Sequence, residues 1–152
     1  MKKMTNPART IDVLNRLVAL HARSLPMYLA DAHPWTPRAD EADRDVLTQI
    51  AADQTAVVQR LASLIIEQGG SVHLGDFPMH FTGQHDLALG YLVHGLVAHQ
   101  RETVAAIEEC VQQLEHDPMA KAVAQETLGE AKGHLELLQE LARDDSIASA
   151  TS

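Results

Sequence analysis

Aromatic side chains make up only 3% of the 152 residues, and the chain has a single cysteine, Cys110. One thiol cannot form an internal disulfide, so a disulfide-stabilised fold is excluded and a reducing, cytoplasmic location is expected. No apolar run approaches the roughly 20 residues that a membrane-spanning helix needs. We therefore expect no membrane partner, and we expect Cys110 to be a small buried side chain rather than a nucleophile.

Basic residues are also scarce, with 12 Lys and Arg against 21 Asp and Glu, which leaves a formal charge of −9. Binding to a phosphate backbone depends on clustered positive charge, so a nucleic-acid partner is not expected. What the chain does have is apolar residues, at 45%, with almost none of the strict alternation that is typical of strands. One globular, all-α domain is the prediction.

Apolar residues recur in steps of three and four and predict four helices, at about 7–32, 40–68, 85–115 and 118–143. Pro26 should kink the first helix, because it lacks the backbone N–H and clashes with the preceding turn. Asp117-Pro118 is a natural start for the fourth helix. The domain is predicted to span 7–143, followed by a frayed C-terminal tail at 144–152.

Loop lengths predict how these helices are connected. The connections after the first and third helices are short, so each pair should be antiparallel. The connection between the second and third has about 16 residues and can reach roughly 50 Å when extended. A helix of about 28 residues is only about 42 Å long, so this connection can cross the whole bundle. The prediction is an up-down four-helix bundle with a long crossover between helices 2 and 3.

Each predicted helix carries one polar residue near the centre of its apolar seam, and these residues are His21, Gln54, Gln100 and His134. If the bundle closes as predicted, they meet in one layer, flanked by Asp53, His99 and Glu130. A buried amide or imidazole without a partner costs about 1–3 kcal/mol. The four must therefore be satisfied by one another, by water or by a ligand.

Short motifs in all four predicted helices match one pattern: Leu14-Asn15 with Tyr28, Asp53, Asp86-Leu87-Ala88-Leu89, and His134-Leu135. On these motifs, residues 10–142 resemble the ferritin-like superfamily, and bacterioferritin-type sequences in particular. The resemblance implies an oligomeric four-helix bundle. It also implies a di-iron centre made by a Glu from each of two helices and a Glu-x-x-His pair from each of the other two.

Carried over position by position, the resemblance implies a damaged centre. The glutamate of the first helix falls at His21, and the pair of the second helix falls at Gln54 and Val57. The glutamate of the third helix falls at Gln100 if the two halves of the chain echo each other. It falls at Gly90 if the Asp-Leu-Ala-Leu run sets the register.

The pair of the fourth helix falls at Ala131 and His134, so only the histidine remains. Two iron ions about 3.5–4 Å apart need bridging anionic oxygens, which amides and imidazoles do not supply. The sequence therefore predicts no ferroxidase activity. A homodimer is expected rather than an iron-storage cage, because mineralisation depends on iron oxidation.

Two functions remain open at this point. In the first, a remodelled site holds one divalent metal ion through His21 and His134, assisted by Glu130 or Asp53. In the second, the chain is a metal-free helical binding or scaffold module, and its polar layer only fixes the register of the helices.

The crossover and the first connection carry further candidate residues. Phe77, Met79 and Phe81 are predicted to pin the long crossover onto the helices, since a loop of this length needs anchors. A surface metal site on its histidines, such as His73, is the alternative. Trp35, in a proline-flanked turn, is expected to cap one end of the bundle.

Overall fold

A computed structural model describes residues 7–32, 41–79, 81 and 89–151 of the chain. These residues form five α-helices and no strand: α1 (Pro7–Ala22), α2 (Leu25–Ala32), α3 (Glu41–Glu67), α4 (Leu89–Gln113) and α5 (Pro118–Thr151). The all-helical prediction is confirmed. None of the helices in the described ranges is both long enough and apolar enough to cross a membrane. The predicted positions of Trp35 and of the Asp86-Leu87-Ala88 run lie outside the described residues.

The first predicted helix is divided in two, where a kink was expected. α1 ends at Ala22, and α2 begins at Leu25 with Pro26 in its first turn, where the missing N–H of proline is tolerated. Ser24 is the N-cap of α2, because its Oγ accepts a hydrogen bond from the backbone N–H of Met27 at 3.2 Å. The capping serine and the proline together convert the kink into a break.

Gly69 ends α3 through a left-handed turn. Its φ of 82° lies in the region that favours glycine. Its N–H donates to the carbonyl of Ile66, and the N–H of Gly70 donates to the carbonyl of Ile65, both at 2.9 Å. These two bonds form a Schellman motif, which satisfies carbonyl groups in the last turn of the helix.

Asp117-Pro118 begins α5 as predicted. The Asp117 Oδ1 accepts the N–H of Ala120 at 3.1 Å, which makes it the N-cap, and Pro118 takes the first helical position. The other carboxylate oxygen of Asp117 accepts a bond from Gln68 Nε2 at 3.3 Å. This bond ties the start of α5 to the end of α3.

The end of α5 lies further along the chain than the sequence suggested. The structure continues the helix to Thr151, so it includes residues 144–151 of the tail that was expected to fray at 144–152. After Gly133 the chain contains neither glycine nor proline, and alanine recurs in the last turns. Nothing in the local sequence therefore stops the helix before Thr151.

The helices enclose two apolar clusters, one above the other along the helix axes. The first lies between α1, α3, α4 and α5, and its fully buried members include Leu14, Leu17, Leu61, Ile65, Ile107 and Ala124. The second lies between α2, α3, α4 and α5, and includes Leu29, Ile50, Phe81, Leu96 and Leu138. α4 packs along α5, α1 packs along α3, and α2 packs against α3.

The connection that follows α3 runs beside α1. Gly70 lies directly against the side chain of Ile11. One turn further along α1, the Asn15 amide donates to the Ser71 carbonyl at 2.9 Å and accepts the N–H of His73 at 2.7 Å. Successive residues of the connection therefore contact successive turns of α1, in the same chain direction.

The connection continues past the end of α1 to an aromatic cluster on α2. Arg23 Nε donates to the carbonyl of Gly75 at 2.8 Å, and the guanidinium of Arg23 lies 4.9 Å from the centroid of the Phe77 ring. Tyr28 contacts both phenylalanines, with ring centroids 5.3 Å from Phe77 and 5.7 Å from Phe81. The two predicted phenylalanine anchors thus contact the helices. Met79, in contrast, is 84% exposed and does not anchor the connection by burial.

Candidate metal centre

A polar layer separates the two apolar clusters. It consists of His21, Gln54, Gln100 and His134, each of which is at least 95% buried. In α3, Gln54 lies between Val57 of the first cluster and Ile50 of the second. The same order holds in α4 and α5, where each polar residue lies between members of the two clusters. The prediction that these four side chains are buried is confirmed.

Contacts between the helices place the four residues at one level. Ser24, one turn after His21, donates its hydroxyl to Gln54 Oε1 at 2.8 Å. Gln100 Nε2 donates to the carbonyl of Ala131 at 3.0 Å, and Ala131 lies one turn before His134. Each contact joins neighbouring helices within about one turn of the layer.

The members of the layer are mostly satisfied by partners outside it. His21 Nδ1 lies 2.8 Å from the carbonyl of Leu17, so this nitrogen carries the proton and donates it. Gln54 takes the Ser24 hydroxyl as its partner. Gln100 Oε1 is buried and has no hydrogen-bond partner within the described ranges. The layer is therefore not a closed network, and one of its acceptors is left over.

Three of the four residues that the sequence proposed as metal ligands lie together at the edge of this layer, and one of them, His134, is a member of it. Asp53, Glu130 and His134 each present a ligand atom, and these atoms lie within 4.8 Å of one another. His134 Nε2 is 2.9 Å from Asp53 Oδ2 and 4.0 Å from Glu130 Oε1. Metal–ligand bonds of about 2.0–2.2 Å separate adjacent ligand atoms by about 3–3.5 Å. The distance from His134 to Asp53 is close to this spacing, whereas Glu130 would have to move closer to bind the same ion.

The elements explain why these three side chains meet. Glu130 and His134 are one turn apart on α5, so both project from the same side of that helix. Asp53 is adjacent to the buried Gln54 on α3, at the edge of the face that packs on α5. His134 is buried, Asp53 is half-buried and Glu130 is exposed. The group therefore lies at the boundary between the interior and solvent.

The charges in this group favour a cation. Partial removal of Glu130 from solvent raises the pKa of its carboxyl above the ordinary value, His134 lowers this pKa, and the neighbouring Asp53 raises it. Two carboxylates close together disfavour each other's ionised form. A positive charge placed between the two carboxylates would offset their repulsion and would favour the deprotonated form of Glu130.

His21 is not a member of the group, although it was the fourth predicted ligand. Its Nδ1 is engaged with the Leu17 carbonyl, and the Asp53–Glu130–His134 group contains no atom of its ring. Burial lowers the pKa of His21, the hydrogen bond to Leu17 opposes this change, and the nearby His134 lowers the pKa further. Burial thus favours the neutral form of this imidazole, and a role for His21 as a ligand stays a prediction.

The donors present do not fit a di-iron centre. Such a centre needs four carboxylates and two imidazoles that converge in the bundle core. The corresponding level of this protein holds two buried glutamines and two histidines, and only Asp53 and Glu130 supply carboxylate oxygen to the group described above. Two carboxylates are half the number that such a centre needs to bridge and neutralise two adjacent metal ions.

Sequence reasoning placed His99 beside the layer, but it missed Ser24 and the contact that His99 makes. Ser24 links the N-cap of α2 to Gln54, because its hydroxyl both accepts from Met27 and donates to the Gln54 amide. His99 Nε2 accepts the N–H of Leu25 at 3.2 Å, across 74 residues of sequence. The serine could have been found from its position two residues before Pro26, but the role of His99 depends on the packing of α2 against α4.

A scan against protein-family models finds no match for the chain, and a comparison with curated proteins finds none either. The resemblance to ferritin-like proteins therefore rests on the sequence motifs and stays a prediction.

Proposed function

We propose that this protein binds one divalent transition-metal ion through Asp53, Glu130 and His134. The observation that carries the proposal is the convergence of two carboxylates and one imidazole, from two helices, within 4.8 Å. Three protein ligands leave at least one coordination position for water or a small ligand.

The mixture of nitrogen and oxygen ligands narrows the choice of metal ion. Imidazole nitrogen suits zinc, copper, iron and nickel, whereas carboxylate oxygen also suits manganese. Magnesium and calcium prefer sites made only of oxygen ligands, so they are poorer candidates. Zn(II) is the first choice for a binding experiment, because zinc accepts both imidazole nitrogen and carboxylate oxygen and generally binds more tightly than manganese does. Mn(II) is the second choice, because carboxylate oxygen suits it.

Proton release should accompany binding. In the form described, Asp53 Oδ2 is within hydrogen-bonding distance of His134 Nε2. A metal ion needs the lone pair of that nitrogen and both carboxylates in their ionised form. Because burial raises the pKa of Glu130, protons compete for this ligand, and we expect the affinity to increase with pH.

We propose that the fold is a ferritin-like four-helix bundle in which α1 and α2 together take the place of one helix. The course of the connection after α3 supports it, because residues 70–77 follow α1 and α2 over several turns, as a long crossover would. The polar layer supports this fold as well, because α1, α3, α4 and α5 each contribute one buried polar residue to it. Ferroxidase activity is not expected, since the family's bridging carboxylates are missing. A cytoplasmic homodimer is the proposed assembly, and light scattering on the purified protein tests the dimer.

Elemental analysis and calorimetry test the metal site. The protein is dialysed against chelator, titrated with Zn(II) or Mn(II), and compared with the Asp53→Asn, Glu130→Gln and His134→Gln variants. Each variant should lose at least about tenfold in affinity, since changes even to residues that only support a ligand cost 10–100-fold. Glu136→Gln is the matched control, because Glu136 is an exposed carboxylate on the same helix. Equal weakening by Glu136→Gln, or no saturable binding, would reject the site. Adding His21→Gln to the series tests whether that imidazole is a ligand.

The second candidate function is a metal-free helical binding or scaffold module with a structural polar layer. The contact that favours it is the 2.9 Å pair between His134 and Asp53, which satisfies the buried imidazole without any ion. Under this alternative, the purified protein contains no stoichiometric metal. Its melting temperature is then the same with and without chelator.

A further inference from the structure

A cleft with several polar lining residues lies between α4 and α5, and none of Asp53, Glu130 and His134 lines it. The cleft has a volume of about 420 Å³, and its lining includes His94, Arg101, Gln139 and Arg143. Ligand pockets commonly have volumes of about 300–1,000 Å³, so the space suits a small molecule.

Small side chains make room for a ligand between the polar ones. Ala98 on α4 and Ala142 on α5 line the cleft, and Val97 lies at its mostly buried floor. His94, Ala98 and Arg101 lie on one face of α4 at spacings of four and three, so they share one wall. Arg143 is placed on α5, so the two guanidinium groups approach the cleft from different helices.

Within the described residues, the two arginines carry unpaired positive charge on an acidic protein. Four other basic side chains pair with glutamates on neighbouring turns or helices: Arg16 with Glu109, Arg60 with Glu126, Lys121 with Glu115 and Lys132 with Glu108. Arg101 and Arg143 form no ion pair or hydrogen bond with any residue in the described part of the chain. Both are exposed and line the same cleft.

We propose that this cleft binds a small phosphate-type dianion between Arg101 and Arg143. A guanidinium presents its N–H donors in a planar fork that matches phosphate oxygens. A tetrahedral dianion has enough oxygens to accept bonds from two such forks at once. Gln139 and His94 offer further donors from both walls, and the two guanidinium charges offset the repulsion between a dianion and the acidic surface.

Titration of the intact protein with inorganic phosphate in low-chloride buffer tests the site. Binding is followed by calorimetry and by amide chemical shifts in α4 and α5. We expect saturable binding that weakens about tenfold or more in Arg101→Gln and in Arg143→Gln, because each removes charge-assisted hydrogen bonds. Shifts should concentrate around residues 94–101 and 139–143.

Arg60→Gln is the matched control, because it changes the net charge by the same amount at an exposed arginine that is paired with Glu126. Binding to this variant should match the unmodified protein within about twofold, since the ion pair lies outside the cleft. All three positions are exposed, and circular dichroism checks that each variant is folded. Phosphate binding that does not saturate, or that weakens equally in Arg60→Gln, would overturn the proposal and leave ordinary solvated arginines.

Discussion

His134 Nε2 lies 2.9 Å from Asp53 Oδ2, so two residues that are 81 positions apart join the middle of α5 to the middle of α3. His134 is buried and Asp53 keeps about a third of its side-chain surface exposed. The pair closes the edge of the polar layer and supplies two of the three proposed metal ligands. It therefore has a measurable role in stability whether or not a metal binds.

The first prediction is that Asp53 and His134 are energetically coupled in the metal-free protein. A double-mutant cycle with Asp53→Asn and His134→Gln, measured by denaturant unfolding in the presence of chelator, should give a coupling of about 1 kcal/mol. The value should lie between those of an exposed ion pair and a buried hydrogen bond, because Asp53 is partly solvated. A parallel double-mutant cycle that combines His134→Gln with Glu136→Gln should give a coupling near zero, because Glu136 is exposed. Equal values for both cycles would contradict the contact.

The glycines of the chain give the second prediction. A Cβ added at Gly70 would lie 2.7 Å from the Ile11 side chain, whereas one added at Gly129 meets nothing within 4 Å. Gly129→Ala should stabilise the protein by about 0.5–1 kcal/mol, because alanine loses less backbone entropy in a helix. Gly70→Ala should destabilise it by about 1–3 kcal/mol, because Ile11 must move out of its packed position.

Urea unfolding of the two glycine variants measures both effects with the same chemical change. Their difference in sign is the informative result, since it tests the close approach of the connection to α1. A Gly70→Ala variant as stable as the unmodified protein would show that the connection does not lie against Ile11.

Periodicity predicted the helices and the polar layer because burial follows directly from spacing along a helix. It placed Gln54 and Gln100 inside, and it placed Asp53 and Glu130 at the edge of the layer. The break at Ser24 was not predicted, because a kink and a capped break both follow from a proline at position 26. The outcome depends on whether the serine hydroxyl finds both the Met27 N–H and the Gln54 amide.

Side-chain partners across the layer were beyond the reach of sequence reasoning. The seams suggested that His21 and His134 would face each other as ligands, yet His21 Nδ1 bonds to the Leu17 carbonyl of its own helix. A backbone carbonyl one turn away in the same helix can accept the imidazole hydrogen bond as well as a group on another helix can. The apolar pattern does not show which of these acceptors is used. The sequence placed His99 beside the layer, but it did not predict the contact with Leu25, because that contact depends on where the break directs α2.

The third prediction concerns the aromatic anchors of the long connection. Phe81 is 1% exposed and contacts Tyr28, whereas Met79, two residues earlier, is 84% exposed. Phe81→Ala should destabilise the protein by about 3–5 kcal/mol. Met79→Ala should change stability by less than about 0.5 kcal/mol. Thermal unfolding compares the two, and limited proteolysis of the connection should accelerate only in Phe81→Ala.

His21 makes stability depend on pH. Burial lowers the pKa of His21 in the folded protein, and in the unfolded chain the imidazole returns to its ordinary value of about 6.5. As pH falls below that value, the unfolded chain takes up a proton that the folded protein resists. The stabilising contribution of the neutral imidazole is therefore complete above about pH 6.5, and it is lost progressively as pH falls towards the folded pKa.

The fourth prediction is that His21→Gln flattens this dependence. Denaturant unfolding between about pH 7.5 and about pH 5 should show the unmodified protein losing more stability than His21→Gln, because the variant has no proton to take up at this position. The comparison uses the slope with pH, so a uniform loss from the missing bond to Leu17 does not affect it. His116→Gln is the control, since His116 is exposed, and it should leave the slope unchanged. Parallel curves for the unmodified protein and His21→Gln would mean that the imidazole is hydrated and titrates as in the unfolded chain.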